Sequence, residues 1–131
     1  MTPPSEEDRR RFAATVAEAA GAVAAVLGAN PPRGSGPYPV AAVLPVLVEQ
    51  HESLRAAVDA WRGPLAVDAT GAEDPLAVEL AGFMSCLQLL RVLHHGLDDV
   101  PDPVRVTASR HLSTTHLVAR RVRDRARRRA G

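Results

Sequence analysis

Apolar residues recur along this chain with the period of an α-helix, in four segments that prolines separate. The pattern predicts helices over residues 5–28, 40–61, 75–95 and 103–128. Pro45 is the only proline inside a helical segment, and it either starts the main body of the second helix or kinks it. No strand-like alternation is long enough to compete, so the sequence indicates an all-α fold.

The first two helices each show one apolar stripe. Ser5 is a good N-cap for the first helix, and acidic residues follow it in the first turn, where the helix dipole favours negative charge. The first stripe contains Phe12, Val16, Ala19, Val23, Val26 and Leu27. The second contains Leu47, His51, Leu54, Val58 and Trp61. Each stripe predicts the face that its helix turns to the core.

The third helix is apolar on two sides, and Gly96 is its expected C-cap. Its main stripe contains Leu76, Leu80, Phe83, Leu87, Leu90 and His94. Val78, Leu89 and Val92 lie on the opposite side. A helix that is apolar on two faces is usually buried on both, which predicts either a central helix or a subunit interface.

The fourth helix is expected to start after Asp102 as N-cap and to run into an arginine-rich segment. Its stripe contains Val104, Ala108, His111, Thr115, Val118 and Val122. Val106 and Leu117 point elsewhere and indicate a second contact. The 131 residues fit a single domain. We therefore predict a four-helix up-down-up-down bundle that forms a homodimer through the third and fourth helices.

Charge is distributed unevenly along the chain. All sixteen basic residues are arginine, which is typical of a GC-rich bacterial genome. Residues 120–131 carry a net charge of +6 and the remaining chain carries −5, so an acidic body ends in a basic tail. This tail raises the hypothesis of polyanion binding. It lacks the interleaved aromatic residues that stack on bases, so nucleic acid is not the expected partner.

The expected location is the cytoplasm. Cys86 is the only cysteine and falls in an apolar helix, where a reduced, buried thiol fits. Three arginines at residues 9–11 precede an apolar run and imitate an export signal, but acids before them and Glu18 within the run argue against one. No segment is expected to span a membrane.

Three histidines supply the candidate chemistry. His51, His94 and His111 occupy stripe positions on three helices, and a rise of about 1.5 Å per residue places all three roughly 9 to 16 Å from one end of an antiparallel bundle. Such a layer could exchange protons near neutral pH, with Glu79 or Glu52 as a carboxylate partner. Glu79 also fits a boundary carboxylate paired with an arginine. No metal or cofactor is expected.

Three hypotheses of function remain open, and a binding role is preferred because no evident nucleophile or oxyanion site is present. The preferred hypothesis is a dimeric binding protein that presents a groove or a histidine-containing pocket to a small molecule or peptide. One alternative is a metal-independent acid/base enzyme of a bacterial biosynthetic pathway, using His51, His94, His111 and Glu79. The other is polyanion binding through the arginine-rich tail.

Overall fold

The computed structural model describes residues 5–32, 38–61, 75–93 and 102–131. These residues form four α-helices and contain no strand. The helices are α1 (Glu6–Ala29), α2 (Val40–Ala60), α3 (Pro75–Leu93) and α4 (Asp102–Ala130). They pack together, so the predicted all-α four-helix bundle is confirmed. The expected cap at Gly96 and the candidate residue His94 lie outside the described residues.

Each helix contacts two others in the bundle. Helix α1 packs against α2 and α4, and α3 packs against the same two helices. Within the described ranges, the diagonal pairs α1 with α3 and α2 with α4 make no close backbone contact. Phe12 stacks on Trp61 with ring centroids 4.7 Å apart, which joins the start of α1 to the end of α2. The four helices therefore surround one shared core.

Helix α1 begins as its sequence predicts and is buried more widely than its stripe suggests. The Ser5 hydroxyl accepts a hydrogen bond from the Asp8 amide, and the Asp8 carboxylate accepts one from the Ser5 amide, which completes a capping box. The buried residues are Ala13, Val16, Ala17, Ala19, Ala20, Val23, Ala24 and Leu27. The additional alanines let α4 approach closely, because a methyl group is the smallest side chain above glycine.

Helix α2 begins at Val40, directly after Pro39, so Pro45 does not start it. Pro45 lies in the second turn and is exposed to solvent. Proline has no amide hydrogen, so the Ala41 carbonyl receives no helical hydrogen bond from this position. The buried residues of α2 are Val43, Leu47, His51 and Leu54. Trp61, which ends the predicted stripe, is half-buried at the helix end.

The main stripe of α3 is buried as predicted, but the opposite side is not. Leu76, Leu80, Phe83, Leu87 and Leu90 are all buried. Val78 is 47%, Leu89 38% and Val92 62% exposed. The interpretation of α3 as a central helix is therefore wrong, because only one of its faces packs inside the bundle.

The buried face of α4 confirms Ala108, Thr115 and Val122 of the predicted stripe and differs from it at other positions. Ala108, Leu112, Thr115, Ala119, Val122 and Ala126 are buried. His111 and Val118 are only half-buried at the edge of this face. The physical reason is that alanines at three positions of the observed face allow close packing, whereas the predicted stripe favours bulkier residues. The Thr115 hydroxyl donates to the His111 carbonyl at 2.7 Å, which satisfies this buried polar group.

The ends of α4 lie within two residues of the predicted helix over 103–128. Asp102 is the first residue of the helix rather than its N-cap. At the other end, the helix continues to Ala130, so the arginine-rich segment is helical. Val122 and Ala126 are fully buried within this segment. The expected basic tail is therefore the last part of a core helix.

Two helices are more apolar than expected. By length and composition, residues Glu6–Ala29 and residues 75–92 could cross a membrane. The expectation that no segment reaches this threshold is therefore wrong. The buried share of the most apolar window is 44% for Glu6–Ala29 and 28% for residues 75–92. A core helix of a bundle can meet the same criterion, because alanine, valine and leucine build both kinds of helix.

Candidate functional site

His51 is held inside the bundle by a contact between α2 and α3. Its side chain is buried, and the Arg91 guanidinium approaches its Nδ1 atom at 3.0 Å. Because a guanidinium group can only donate, Nδ1 is the acceptor and the neutral ring carries its hydrogen on Nε2. Arg91 also lies 3.8 Å from a carboxylate oxygen of Glu52. The three residues form a small charged cluster at the edge of the core.

This environment keeps the His51 ring neutral. Burial lowers the pKa of His51 from its ordinary value. The guanidiniums of Arg91 and Arg55 lower this pKa further, while the nearby Glu52 carboxylate opposes them. His51 is therefore a buried hydrogen-bond acceptor that resists protonation.

The level of the bundle near His51 is filled by leucines. Leu47, Leu90 and Leu112 come from three helices and help to line an apolar cavity of about 10 Å³, which is room for one water molecule at most. His111 is half-buried on the neighbouring position of α4. Neither His51 nor His111 lines this cavity.

Glu79 lies away from the histidines. Its carboxylate accepts a hydrogen bond from the Arg125 Nε atom at 3.0 Å, and each side chain of this pair is about one third exposed. The expected boundary carboxylate paired with arginine is therefore observed, with Arg125 as its partner. Glu79 precedes Arg91 by twelve residues, or roughly 18 Å along α3. The structure does not bring Glu79 together with His51.

A larger feature lies between α1 and α4. The two helices border an open groove of about 530 Å³, which we call the α1–α4 groove. On the α4 side it is lined by His116, Arg120, Arg123 and Arg127. On the α1 side it is lined by Ala17, Glu18, Gly21, Ala24 and Ala25. One wall is therefore cationic, and the other consists of small residues and a single acid.

The small residues of α1 lie directly beneath the α4 side chains. A Cβ atom built on Gly21 would lie 3.7 Å from the Arg123 Cδ atom. A Cβ atom built on Gly28 would lie 3.4 Å from the His116 Nε2 atom. The aliphatic part of Arg123 thus covers the helix at Gly21, while its charged end pairs with Asp124.

Two of the three arginines of the groove have no side-chain partner at contact distance. The side chains of Arg120 and Arg127 make no hydrogen bond or ion pair in the part of the chain that the structure describes, and the Asp124 carboxylate interacts with Arg127 only at longer range. Arg123 pairs with Asp124, its neighbour in the chain, at 3.0 Å. By contrast, Arg10, Arg11 and Arg125 each contact an acid one helical turn away or on another helix. The groove therefore holds excess positive charge.

The sequence contains signals for this groove that its helical stripes do not reveal. His116 is expected to be solvated, because it lies off the predicted stripe, yet it is half-buried and lines the groove. His116, Arg120, Arg123 and Arg127 are spaced by four, three and four residues, which places them on one face of a helix. This spacing identifies the cationic row, but only the fold shows that α1 lies beside it.

Comparisons of this chain with protein-family models, with curated proteins and with solved structures found no match. The groove is therefore interpreted from its own residues.

Proposed function

We propose that the protein is a small binding protein that accepts an acidic ligand, or an acidic part of a partner, in the α1–α4 groove. The observation that carries this proposal is the pair of arginines, Arg120 and Arg127, that line the groove without an acidic partner in the described residues. Asp124 interacts with Arg127 only at longer range, and no acid among the described residues contacts either guanidinium, so both have donors to offer to an external anion.

The chemistry of the groove supports this class of ligand. A guanidinium group presents several donors in one plane, which matches carboxylate and phosphate oxygens. Three arginines and one acid, Glu18, line the groove, so its net charge attracts anions. Its volume of about 530 Å³ lies within the range of small-molecule sites, about 300–1,000 Å³.

The environment of His51 favours binding over acid/base catalysis. An acid/base residue must reach the proton that it transfers, directly or through one water molecule. His51 is buried, its Nδ1 atom is occupied by Arg91, and its pKa is lowered. These properties suit a structural acceptor better than a proton donor.

Paired substitutions on one helix test this function. Tripolyphosphate and poly-glutamate serve as probes, because they present phosphate and carboxylate groups respectively. We expect Arg120→Gln with Arg127→Gln to weaken binding of both probes about tenfold or more at low salt, measured by isothermal titration calorimetry, since each charged hydrogen bond contributes about 1.5–3 kcal/mol.

Arg121→Gln with Arg128→Gln is the matched control. Both arginines are exposed on α4, and neither lines the groove. This control removes the same charge from the same helix, so it should change the dissociation constant by no more than about twofold through screened long-range attraction. Equal losses in the two double variants, or no binding of either probe by the native protein, would contradict the proposed function.

We also propose that the bundle has up-down-up-down order. Contacts between helix ends support it. Gly21 lies beside Arg123 and Gly28 beside His116, so numbers rise along α1 as they fall along α4. Similarly, Glu79 near the start of α3 meets Arg125 near the end of α4. The shortest connection, eight residues between α3 and α4, favours the same order.

Finally, we propose that the protein is a homodimer through α3, with a contribution from α4. Val78, Gly82, Ser85, Leu89 and Val92 follow one another at intervals of four and three residues, and all are exposed; we call this row the α3 outer face. Such spacing is the seam along which two helices pair. Val106 and Leu117 add exposed apolar surface on α4.

The charges of α3 support a second copy as the partner of this face. Glu79 and Arg91 are its only charged residues, and both contact other helices. The α3 outer face therefore carries no charge, and large uncharged apolar patches on soluble proteins mark interaction sites. Two copies of a row with heptad-like spacing can pack against each other across a twofold axis. The α3 outer face of a second copy can therefore serve as the partner surface.

A further inference from the structure

We propose that the natural occupant of the α1–α4 groove is an acidic α-helix of a partner protein, whose carboxylates follow the cationic row of α4. This inference rests on the proposed function and specifies the shape of the acidic partner. Three properties of the groove carry it: the spacing of its cations, the size of the residues opposite them, and the position of its single acid.

The basic residues of the groove, one histidine and three arginines, are spaced as residues on one face of a helix. His116, Arg120, Arg123 and Arg127 extend over eleven residues of α4, or about 16 Å. Successive members are therefore about 6, 4.5 and 6 Å apart along the helix axis. A second helix that lies beside α4 with acids at intervals of four, three and four residues places one carboxylate at the level of the imidazole and one at the level of each guanidinium.

An extended peptide matches this row less well. Side chains on one side of a strand recur about every 6.6 Å. Such a spacing follows the first interval of the row and then falls out of register with Arg123. A helix has the same rise per residue as α4, so its acids stay in register along the whole groove.

The opposite wall provides space for a helix. Gly21 and Ala25 place no side chain larger than a methyl group on the open α1 side of the groove, whereas Ala17 and Ala24 are already buried in the core. The two small residues leave room for an amphipathic helix to lie along the groove. Arg120 and Arg127 are exposed and can fold over the occupant from the α4 side.

Glu18 determines which side of the partner helix must carry its acidic residues. It is exposed on α1, and no ion pair joins it to any described residue. A carboxylate facing α1 would meet this negative charge, whereas a carboxylate facing α4 meets arginines. The partner helix is therefore acidic on the α4 side and small or basic on the α1 side.

Two synthetic peptides of about 20 residues test the proposed shape. Both contain the same alanines, glutamines and four glutamates. In the striped peptide the glutamates are spaced by four, three and four residues, and in the scattered peptide they are distributed around the helix. We expect the striped peptide to bind about tenfold more tightly in fluorescence anisotropy and to gain helicity by circular dichroism on binding.

Equal affinity for the two peptides would overturn the inference, as would undiminished binding of a striped peptide with proline at its centre. Tighter binding of tripolyphosphate than of either peptide would also overturn it and identify a phosphate ligand. In each of these cases, tripolyphosphate binding that depends on Arg120 and Arg127 would leave the proposed function standing. Loss of all anion binding would instead remove the proposed function itself.

A substitution on the α1 side of the groove distinguishes binding of a helix from binding of a small anion. Gly21→Leu fills the α1 side without changing charge, and its Cβ atom has room at 3.7 Å from Arg123. We expect this variant to weaken the striped peptide at least tenfold more than it weakens tripolyphosphate, because the leucine side chain occupies space that a helix needs and a small anion does not. Gly21→Ala is the control and should retain both. Equal effects of Gly21→Leu on both ligands, or none on either, would contradict a helix in the groove, provided that thermal unfolding shows the variant to be folded.

Discussion

The α1–α4 groove and the α3 outer face are two exposed regions of one bundle with opposite chemistry. Both follow a helix through several turns, and both contain a glycine, Gly21 in the groove and Gly82 on the α3 face. The groove has arginines without acidic partners in the described residues, whereas the α3 face has no charge at all. The groove has guanidinium groups that no acid among the described residues contacts, and the α3 outer face has apolar side chains that no other described helix of the bundle covers.

This difference indicates two different partners. Unpaired guanidiniums favour an anion, and uncharged apolar residues favour another apolar surface. The two regions belong to different parts of the molecule, because α1 and α3 are diagonal in the bundle and make no close backbone contact within the described ranges. In the proposed dimer the α3 faces are covered and both grooves stay open. Dimerisation and anion binding are then expected to be independent.

Charged residues introduced on the α3 outer face are the strongest test that dimerisation and anion binding use different regions. Leu89→Glu with Val92→Glu would bury carboxylates without partners in the dimer, and unpaired buried charge is costly. We expect the dimer dissociation constant to rise more than a hundredfold, which equals about 2.7 kcal/mol or more. Sedimentation velocity and light scattering measure this change, and tripolyphosphate binding should persist.

Ser53→Glu with Ala56→Glu is the matched control for this prediction. Both positions are exposed on α2, outside the α3 outer face, so two added charges there should leave the dimer intact. A native protein that is monomeric at micromolar concentration, or a dimer that survives the α3 charges, would show that this face is not an interface.

The two glycines provide a smaller and more local comparison. Alanine stabilises a helix interior relative to glycine by about 0.5–1 kcal/mol. A Cβ atom at Gly82 would meet nothing within 4 Å, and one at Gly21 would make only ordinary contacts with Arg123 and Arg127. In the monomeric variant with Leu89→Glu and Val92→Glu, both Gly82→Ala and Gly21→Ala should therefore raise the free energy of unfolding by this amount in urea denaturation.

In the native background the two substitutions should differ. The new methyl group at residue 82 must fit between two copies of α3, so its stabilising effect should shrink at a fixed protein concentration. The effect at residue 21 should be unchanged, because the groove remains open. An equal gain at residue 82 in both backgrounds would argue that solvent, and not a second copy, covers the α3 face.

The environment of His51 predicts that the free energy of unfolding changes gradually with pH. This dependence should not involve the α1–α4 groove or the α3 outer face. The pKa of His51 is lowered in the folded protein, mainly by burial, while the unfolded chain has the ordinary value of 6.5. The unfolded state therefore binds the proton first as the pH falls below about 6.5, so the free energy of unfolding must decrease with decreasing pH in this window. Above it, His51 is neutral in both states and makes no contribution to the slope.

His51→Gln should remove this part of the pH dependence. Urea denaturation of the native and variant proteins, at a series of pH values from about 7.5 down to 5, measures the difference between their slopes. The difference between the two slopes should be the same in the presence and absence of tripolyphosphate, because His51 does not line the groove. Identical slopes in the two proteins would show that the ring titrates as freely as in the unfolded chain.

The parts of the fold that the sequence predicts well are those marked by large side chains. The buried stripe of α3 is apparent because leucine and phenylalanine recur among polar residues. The buried face of α4 is harder to predict, since three of its members are alanines, which are common on either side of a helix. Leu112 is the only large aliphatic residue that the observed face adds to the predicted stripe. It does not outweigh His111 and Val118, so the periodicity of bulky residues favours the predicted stripe.

The candidate sites were harder to predict for a related reason. Periodicity places His51 in the core, but it does not show that Arg91, forty residues later, takes its Nδ1 atom. The groove joins residues about one hundred positions apart, Gly21 with Arg123. The small residues of α1 and the basic residues of α4 are each visible in the sequence. Only the packing of α1 on α4 shows that they line one groove.

The buried positions within the arginine-rich end of α4 determine how its role can be studied. Val122 and Ala126 belong to the core, so a truncation at residue 122 would remove packing together with charge. Any loss of binding would then reflect a damaged bundle as much as missing arginines. The same packing should protect the arginyl bonds between residues 120 and 127 from trypsin until α4 separates from α1. Limited proteolysis of this segment can therefore report on how often the bundle opens.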